Sequence, residues 1–181
     1  MKRIALIAVI LSALIVAGAG AQVGKIELYA DATMSGCELV DQGTTLMVVH
    51  AFYTGPLSTG VRFIAPKPSC WLGATWVGDT STYTAIGNSQ TDWSIAFAAC
   101  LSAPVHVGQS NYFATGGAEP CCEVVAMASL FGFVYTDCWF GEYPLSNGGQ
   151  KVVINPNESC RCQSPLAIET TTWGGVKSLY R

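Results

Sequence analysis

Eight cysteines and two histidines are the reactive or metal-binding side chains that stand out in this sequence. Structural zinc sites usually combine Cys-x2–4-Cys spacing with a second such pair or with paired histidines. Here the cysteine couples are adjacent or one residue apart, and His50 and His106 are far apart in the chain. We therefore predict disulfides, with no metal and no other cofactor. The predicted disulfide cysteines are Cys37, Cys70, Cys100, Cys121, Cys122, Cys138, Cys160 and Cys162.

The spacing of the late cysteines restricts their pairing. Cys121 and Cys122 are neighbours, and a disulfide between neighbours requires a strained ring. Cys160 and Cys162 would project from the same side of a strand, with Cα atoms about 6.6 Å apart. Each of these four cysteines is therefore expected to pair outside its own couple, which would tie late segments to early ones. Eight cysteines allow 105 connectivities, and the sequence selects none of them.

No catalytic motif accompanies these residues. The sequence lacks Gly-x-Ser-x-Gly and His-Glu-x-x-His, and no glycine-rich loop leads from a predicted strand into a helix. His50 and His106 lie among apolar residues, which favours a structural, hydrogen-bonded histidine at each position. We predict that the protein is not an enzyme; a secreted enzyme or thiol-redox protein is the weakest alternative.

Residues 1–21 have the three parts of a secretory signal peptide. Lys2 and Arg3 supply the positive start, an apolar run follows, and Ala19–Ala21 supplies small residues at the cleavage site. The alternative is an uncleaved anchor, but the run is short for a spanning helix, which needs about 20 apolar residues. We predict cleavage after Ala21, no membrane span after cleavage, and a secreted or periplasmic location.

The remaining residues, 22–181, have the size of a single domain with its own core. The signal peptide contains two of the nine basic residues, which leaves 7 basic against 12 acidic residues. This balance argues against nucleic acid or an anionic membrane as a partner. Charged residues form 12% of the chain, about half the usual share, so disulfides are expected to be a main source of stability.

Short runs rich in β-branched and aromatic residues alternate with Gly, Ser, Thr and Asn along the mature sequence. This pattern predicts an all-β fold, an immunoglobulin-like β-sandwich cross-linked by disulfides. The predicted strands are 25–30, 46–52, 60–64, 74–77, 82–86, 94–99, 105–107 with 111–114, 124–128, 132–137 and 151–154.

Two of these strands carry patterns that predict their surroundings. The continuous apolar run 46–49 predicts a central strand that is covered on both faces. Between 93 and 98, large and small side chains alternate, which predicts a core face and a second face packed closely against another element. The large residues are Trp93, Ile95 and Phe97, and the small ones are Ser94, Ala96 and Ala98.

The C-terminal residues 169–181 differ from the rest of the chain. A Thr N-cap followed by an apolar stripe predicts a short helix, although Gly174 and Gly175 disfavour it by about 1 kcal/mol each. The stripe is predicted to pack on the sandwich or to dock onto a neighbouring protein. Its residues are Trp173, Val176, Leu179 and Tyr180.

Aromatic residues between Cys138 and Pro144 are the best candidates for ligand binding. Trp139 and Tyr143 lie in a predicted loop that a disulfide would hold rigid. Exposed aromatic rings can stack on sugar rings, whereas a structural role is the alternative for each. We predict Trp139 and Tyr143 as the ligand-binding residues.

Three blocks of the mature sequence resemble small exported bacterial proteins, and the likeness covers nearly the whole mature chain. The blocks are 28–31 before Cys37, 86–90 before Cys100, and 154–157 before Cys160–Cys162 and the final TTWGGVKSLY segment. At the level of fold, the chain is similar to cohesin-like and other immunoglobulin-like modules. The resemblance implies a secreted bacterial β-sandwich and transfers no catalytic or binding residue.

Two functions follow as hypotheses. The first is a non-catalytic exported structural or protein-interaction module of the cell envelope or exterior, with another exported protein as partner. The alternative is a carbohydrate-binding module that uses the Trp139–Tyr143 loop and has a surface glycan as partner.

Overall fold

The computed structural model describes residues 23–162, which form an all-β structure of three sheets. The strands are β1 (Lys25–Tyr29), β2 (Glu38–Leu39), β3 (Thr44–Thr54), β4 (Ser58–Phe63), β5 (Ala74–Thr80), β6 (Thr84–Asn88), β7 (Asp92–Leu101), β8 (Val105–Thr115), β9 (Cys122–Val124), β10 (Val134–Thr136), β11 (Glu142–Pro144) and β12 (Val152–Ile154). This confirms the predicted all-β class. The described part contains no helix able to cross a membrane. The predicted signal peptide, the C-terminal helix and its apolar stripe lie outside the described residues.

Two antiparallel sheets form the sandwich. One has the order β1-β3-β8-β5, and the other has the order β11-β10-β4-β7-β6. Four connections cross directly between them, after β3, after β4, after β5 and after β7. The inner faces of both sheets contribute to one apolar core cluster. Its largest fully buried side chains include Trp71, Trp93, Tyr53, Tyr112 and Phe63.

A small third sheet, β2-β12-β9, adds to the same core through Val124, Val152 and Ile154. Its β12 and β2 pair in parallel, whereas β12 and β9 are antiparallel. Because β2 follows β1 and β12 lies near the end of the described chain, this sheet joins early and late segments. The sequence did not predict β2, which is only two residues long.

Four disulfides cross-link this framework, which confirms the predicted disulfide-linked sandwich. The pairs are Cys37–Cys162, Cys70–Cys122, Cys100–Cys138 and Cys121–Cys160. All eight cysteines lie in the described part and none is free there. Neither the Cys121–Cys122 couple nor the Cys160–Cys162 couple bonds internally, as predicted. Three bonds join late segments to early ones, and Cys121–Cys160 joins two late segments.

The structure corrects several strand predictions. The run 46–49 lies in β3, the second strand of its sheet, but Leu46 is 60% exposed, so this strand is not covered on both faces. The two runs predicted at 105–107 and 111–114 are one continuous strand, β8. Strand β11 was not predicted, because its three residues Glu142–Pro144 include an acid and a proline. Both residue types are uncommon in strands.

Candidate functional site

A groove of about 560 Å³ lies on the outer face of the five-stranded sheet. Strand pairing places two rows of outward-facing residues across this sheet. The first row is Ile86, Ser94, Arg62, Val134 and Pro144, and the second row is Thr84, Ala96, Gly60, Thr136 and Glu142. The groove forms because the middle of the second row has almost no side chain. There, Gly60 and Ala96 leave a low floor between longer neighbours.

Strand geometry requires the glycine in this floor. A Cβ atom on Gly60 would come within 2.7 Å of the carbonyl oxygen of Ile95 on the paired strand β7. On the opposite side of β7, Trp93, Ile95 and Phe97 are buried in the core. The core therefore fixes the position of the floor. The alternation of large and small residues along β7 creates one buried face and one shallow face.

The walls of the groove are mainly apolar. Ile86 is 74% exposed on the edge strand β6, and Phe140 is 79% exposed in the β10–β11 loop. Val134 on β10 lines the same space. Arg62 and Glu142 are the two charged residues of the described part that line the groove. An exposed apolar surface with a few charges at its border is typical of a contact site for another molecule.

The small face of β7 differs from its prediction. Ser94, Ala96 and Ala98 were expected to pack against another element, yet Ala96 and Ala98 are exposed. Among residues 23–162, no strand or loop covers them, and they line the groove instead. The small residues of β7 were predicted to lie under another element, but no element of residues 23–162 covers them.

Backbone hydrogen bonds hold the loop that carries Phe140. The Asp137 carboxylate accepts hydrogen bonds from the backbone N–H of Trp139 at 2.9 Å and of Gly141 at 2.8 Å. Phe140 has a φ of 66°, in the left-handed region, and its N–H donates to the carbonyl oxygen of Asp137 at 3.2 Å. The Cys100–Cys138 disulfide joins this loop to the end of β7. The backbone of Phe140 is thus held in place at the border of the groove.

The two predicted ligand-binding residues lie in different surroundings. Trp139 is 85% exposed in the same loop. Tyr143 is half-exposed on β11, and its ring stacks on Tyr135 with centroids 5.6 Å apart. Tyr135 in turn contacts Tyr53 of the core. The core-side contacts give Tyr143 a packing role, while ligand binding by either residue remains a prediction.

The structure brings together His50 and His106, which the sequence left 56 residues apart. Their strands β3 and β8 pair, and a bulge beside Ala51 places Nδ1 of His50 3.1 Å from Nε2 of His106. This distance is a hydrogen bond in which one ring donates and the other accepts. Burial lowers the pKa of both rings, and the neighbouring His106 lowers the pKa of His50 further. Among residues 23–162, no group of three or more His, Cys, Asp or Glu side chains could hold a metal.

Comparison with known proteins finds similar backbone folds among solved structures but no similar sequence. No protein-family model matches the chain, and no curated protein matches it either. A cohesin module from a family 33 glycoside hydrolase of Clostridium perfringens superposes with a TM-score of 0.49 and 9% identity, over 75% of this chain and 99% of that one. CaCohA2 from Clostridium acetobutylicum superposes with a TM-score of 0.46 and 8% identity, over 74% and 91% of the two chains. The fold-level similarity to cohesin modules is thus found again, and it brings no ligand or partner to this chain.

Proposed function

We propose that this protein is a non-catalytic, exported protein-interaction module that binds its partner through the groove on the five-stranded sheet. The observation that carries the proposal is the apolar, open groove with a floor of Gly60 and Ala96. Its walls contain the exposed side chains of Ile86 and Phe140 and the half-buried Val134, at positions where a monomer gains little from apolar side chains. A partner that covers them would remove apolar area from water.

The framework supports this role. The Cys100–Cys138 bond and the core residues beneath β7 hold the groove rigid, so that little conformational entropy is lost on binding. The four disulfides support residence in an oxidising compartment, outside the cytosol or at the cell envelope. The paired cysteines leave no thiol for redox chemistry in the described part.

The test compares capture by three immobilised proteins from the envelope and culture-medium fractions of the source organism. Wild type is compared with Ile86→Glu, which places a charge on the groove wall. The matched control is Phe113→Glu on the outer face of the four-stranded sheet, where Phe113 is 43% exposed. We expect a partner that wild type and Phe113→Glu capture equally and that Ile86→Glu loses at least tenfold. Equal capture by all three proteins contradicts the proposal.

Carbohydrate binding is the second candidate, and the exposure of Trp139 favours it. At 85% exposure this ring is free to stack on a sugar, and the Asp137 hydrogen bonds fix its loop. Affinity electrophoresis in gels containing bacterial surface polysaccharides tests this function. Retardation should be lost in Trp139→Ala and kept in Trp139→Phe. Unchanged migration of wild type in every polysaccharide gel contradicts it.

A further inference from the structure

We propose that the C-terminal segment of the same chain, residues 169–181, docks into the groove on the five-stranded sheet. This inference rests on the proposed function, because it names what occupies the binding face when no partner is bound. The small face of β7 predicts a covering element, and no such element lies among residues 23–162. The C-terminal segment is the one remaining predicted element of the mature sequence.

The segment is long enough to reach the groove. The described chain ends at Cys162, which the disulfide to Cys37 fixes to the sandwich. The linker 163–168 could place residue 169 up to about 23 Å from Cys162, and a helix of residues 169–181 would add about 18 Å. A domain of this size has a radius of gyration of about 15 Å. The combined length of about 41 Å is more than twice this radius, which allows the C-terminal part of the segment to reach the outer face of the five-stranded sheet.

The apolar residues of the segment match those of the groove in chemistry. Trp173, Val176, Leu179 and Tyr180 would lie on one side of a helix, because they are three, six and seven residues apart. The groove offers Ile86, Val134 and Phe140 as apolar contacts over a floor low enough to admit side chains. Its volume of about 560 Å³ lies within the usual range of apolar binding sites.

The charges also match in sign. Arg62 and Glu142 lie two strands and two residues apart, which is about 12 Å. The segment also has one charge of each sign at separate positions, with Glu169 before the Thr N-cap and Lys177 within the predicted helix. Docking would place Glu169 beside Arg62 and Lys177 beside Glu142. This pairing fixes one direction for the segment across the sheet.

Docking within one chain would make the segment a competitor of the partner. A tethered segment acts at an effective concentration of about 1 mM. It would therefore protect the apolar walls from water until a partner of higher affinity displaces it. The groove would bind external proteins more tightly once the segment is weakened.

Hydrogen exchange of the full-length mature protein tests the docking directly. Three variants are compared with wild type: the segment variant Trp173→Ala with Leu179→Ala, the groove variant Ile86→Glu, and the control Phe113→Glu. We expect backbone amides of residues 171–181 to be protected in wild type and in Phe113→Glu. Both other variants should accelerate their exchange at least tenfold. Equal exchange in all four proteins, or acceleration by the segment variant alone, overturns docking in the groove.

A synthetic peptide of residues 166–181, labelled with a fluorophore, provides the second measurement. It should bind the segment variant about tenfold more tightly than wild type, because the tethered segment no longer competes. Addition of Ile86→Glu to the segment variant should abolish binding. Absence of peptide binding to the segment variant overturns the inference. A concentration-dependent dimer of wild type that the segment variant does not form also overturns it, because the segment would then dock onto a second chain. Capture of a partner that Ile86→Glu loses would still support the proposed function in either case.

Discussion

At the scale of single residues, Asp41 is a buried hydrogen-bond acceptor, and no sequence motif predicts this role. Asp41 is 6% exposed, and its carboxylate accepts hydrogen bonds from Trp71 Nε1 at 3.1 Å, from the Gly116 N–H at 3.0 Å and from the Ala118 N–H at 3.3 Å. One side chain thus joins a core tryptophan to the loop after β8. In the sequence, Asp41 resembles any acidic residue of a turn.

We expect Asp41→Ala to lower the free energy of unfolding by about 3 kcal/mol, because it leaves two buried donors and one partly buried donor without an acceptor. Urea unfolding followed by tryptophan fluorescence measures the change. Asp41→Asn is the control, because it keeps one acceptor oxygen and the same size and should cost less. A loss below about 1 kcal/mol in Asp41→Ala would show that water replaces the carboxylate.

The His50–His106 pair predicts a pH dependence of stability. Because the folded state lowers the pKa of both rings below the ordinary value of about 6.5, the unfolded chain binds more protons in acid. Stability is therefore greatest above pH of about 6.5 and falls as the pH decreases below it. The charge of Asp31 raises the pKa of His50, and a hydrogen bond with the Gly108 backbone raises the pKa of His106. Burial outweighs both effects, so both pKa values stay lowered.

We expect the melting temperature to decrease between pH 7.5 and pH 5.5, a range above the titration of most carboxylates (about pH 4). The double variant His50→Gln with His106→Gln should show a smaller decrease over the same range, because it has no imidazole to protonate. Differential scanning calorimetry at both pH values measures this. An unchanged pH dependence in the double variant would assign the effect to other groups.

At the scale of elements, strand β7 shows what sequence patterns can and cannot predict. Its alternation correctly predicts that Trp93, Ile95 and Phe97 are buried. The same alternation cannot tell whether the small face is covered or open, because Ala is compatible with both. The groove further depends on Gly60, which pairs with Ala96 only through the register between β4 and β7. Register is a tertiary property that the sequence does not specify locally.

A larger side chain in the floor of the groove should weaken partner binding without changing the stability of the fold. Ala96→Leu adds three carbon atoms at an exposed position, so we expect the free energy of unfolding to change by no more than about 0.5 kcal/mol. Capture of the groove partner should fall at least tenfold, because the side chain occupies the floor. Thr115→Leu on the exposed outer face of β8 is the control and should leave capture unchanged. Full capture by Ala96→Leu would place the binding surface elsewhere.

At the scale of the whole molecule, the couples Cys121–Cys122 and Cys160–Cys162 connect three disulfides into one covalent ring. Cys162 bonds to Cys37, its near neighbour Cys160 bonds to Cys121, and the adjacent Cys122 bonds to Cys70. The chain from Cys37 to Cys70 closes the ring. The sequence predicts that each cysteine of a couple bonds outside its own couple. Only the structure shows that the two couples link three disulfides to one another. A covalent path therefore links both ends of the described chain to its middle.

This ring changes the expected cost of removing a disulfide. Taken alone, Cys37–Cys162 spans 125 residues and Cys121–Cys160 spans 39. The longer loop loses more entropy in the unfolded chain, so the first bond would stabilise the fold by about 1 kcal/mol more than the second. With the other bonds intact, either one closes the same ring of about 36 residues, which corresponds to about 4 kcal/mol. We expect Cys37→Ala with Cys162→Ala, and Cys121→Ala with Cys160→Ala, to lose equal stability in urea. Mass spectrometry after alkylation without reduction verifies that the remaining bonds are intact. A loss larger by 1 kcal/mol or more in the first variant would mean that the bonds act independently and that the adjacent cysteines do not couple them.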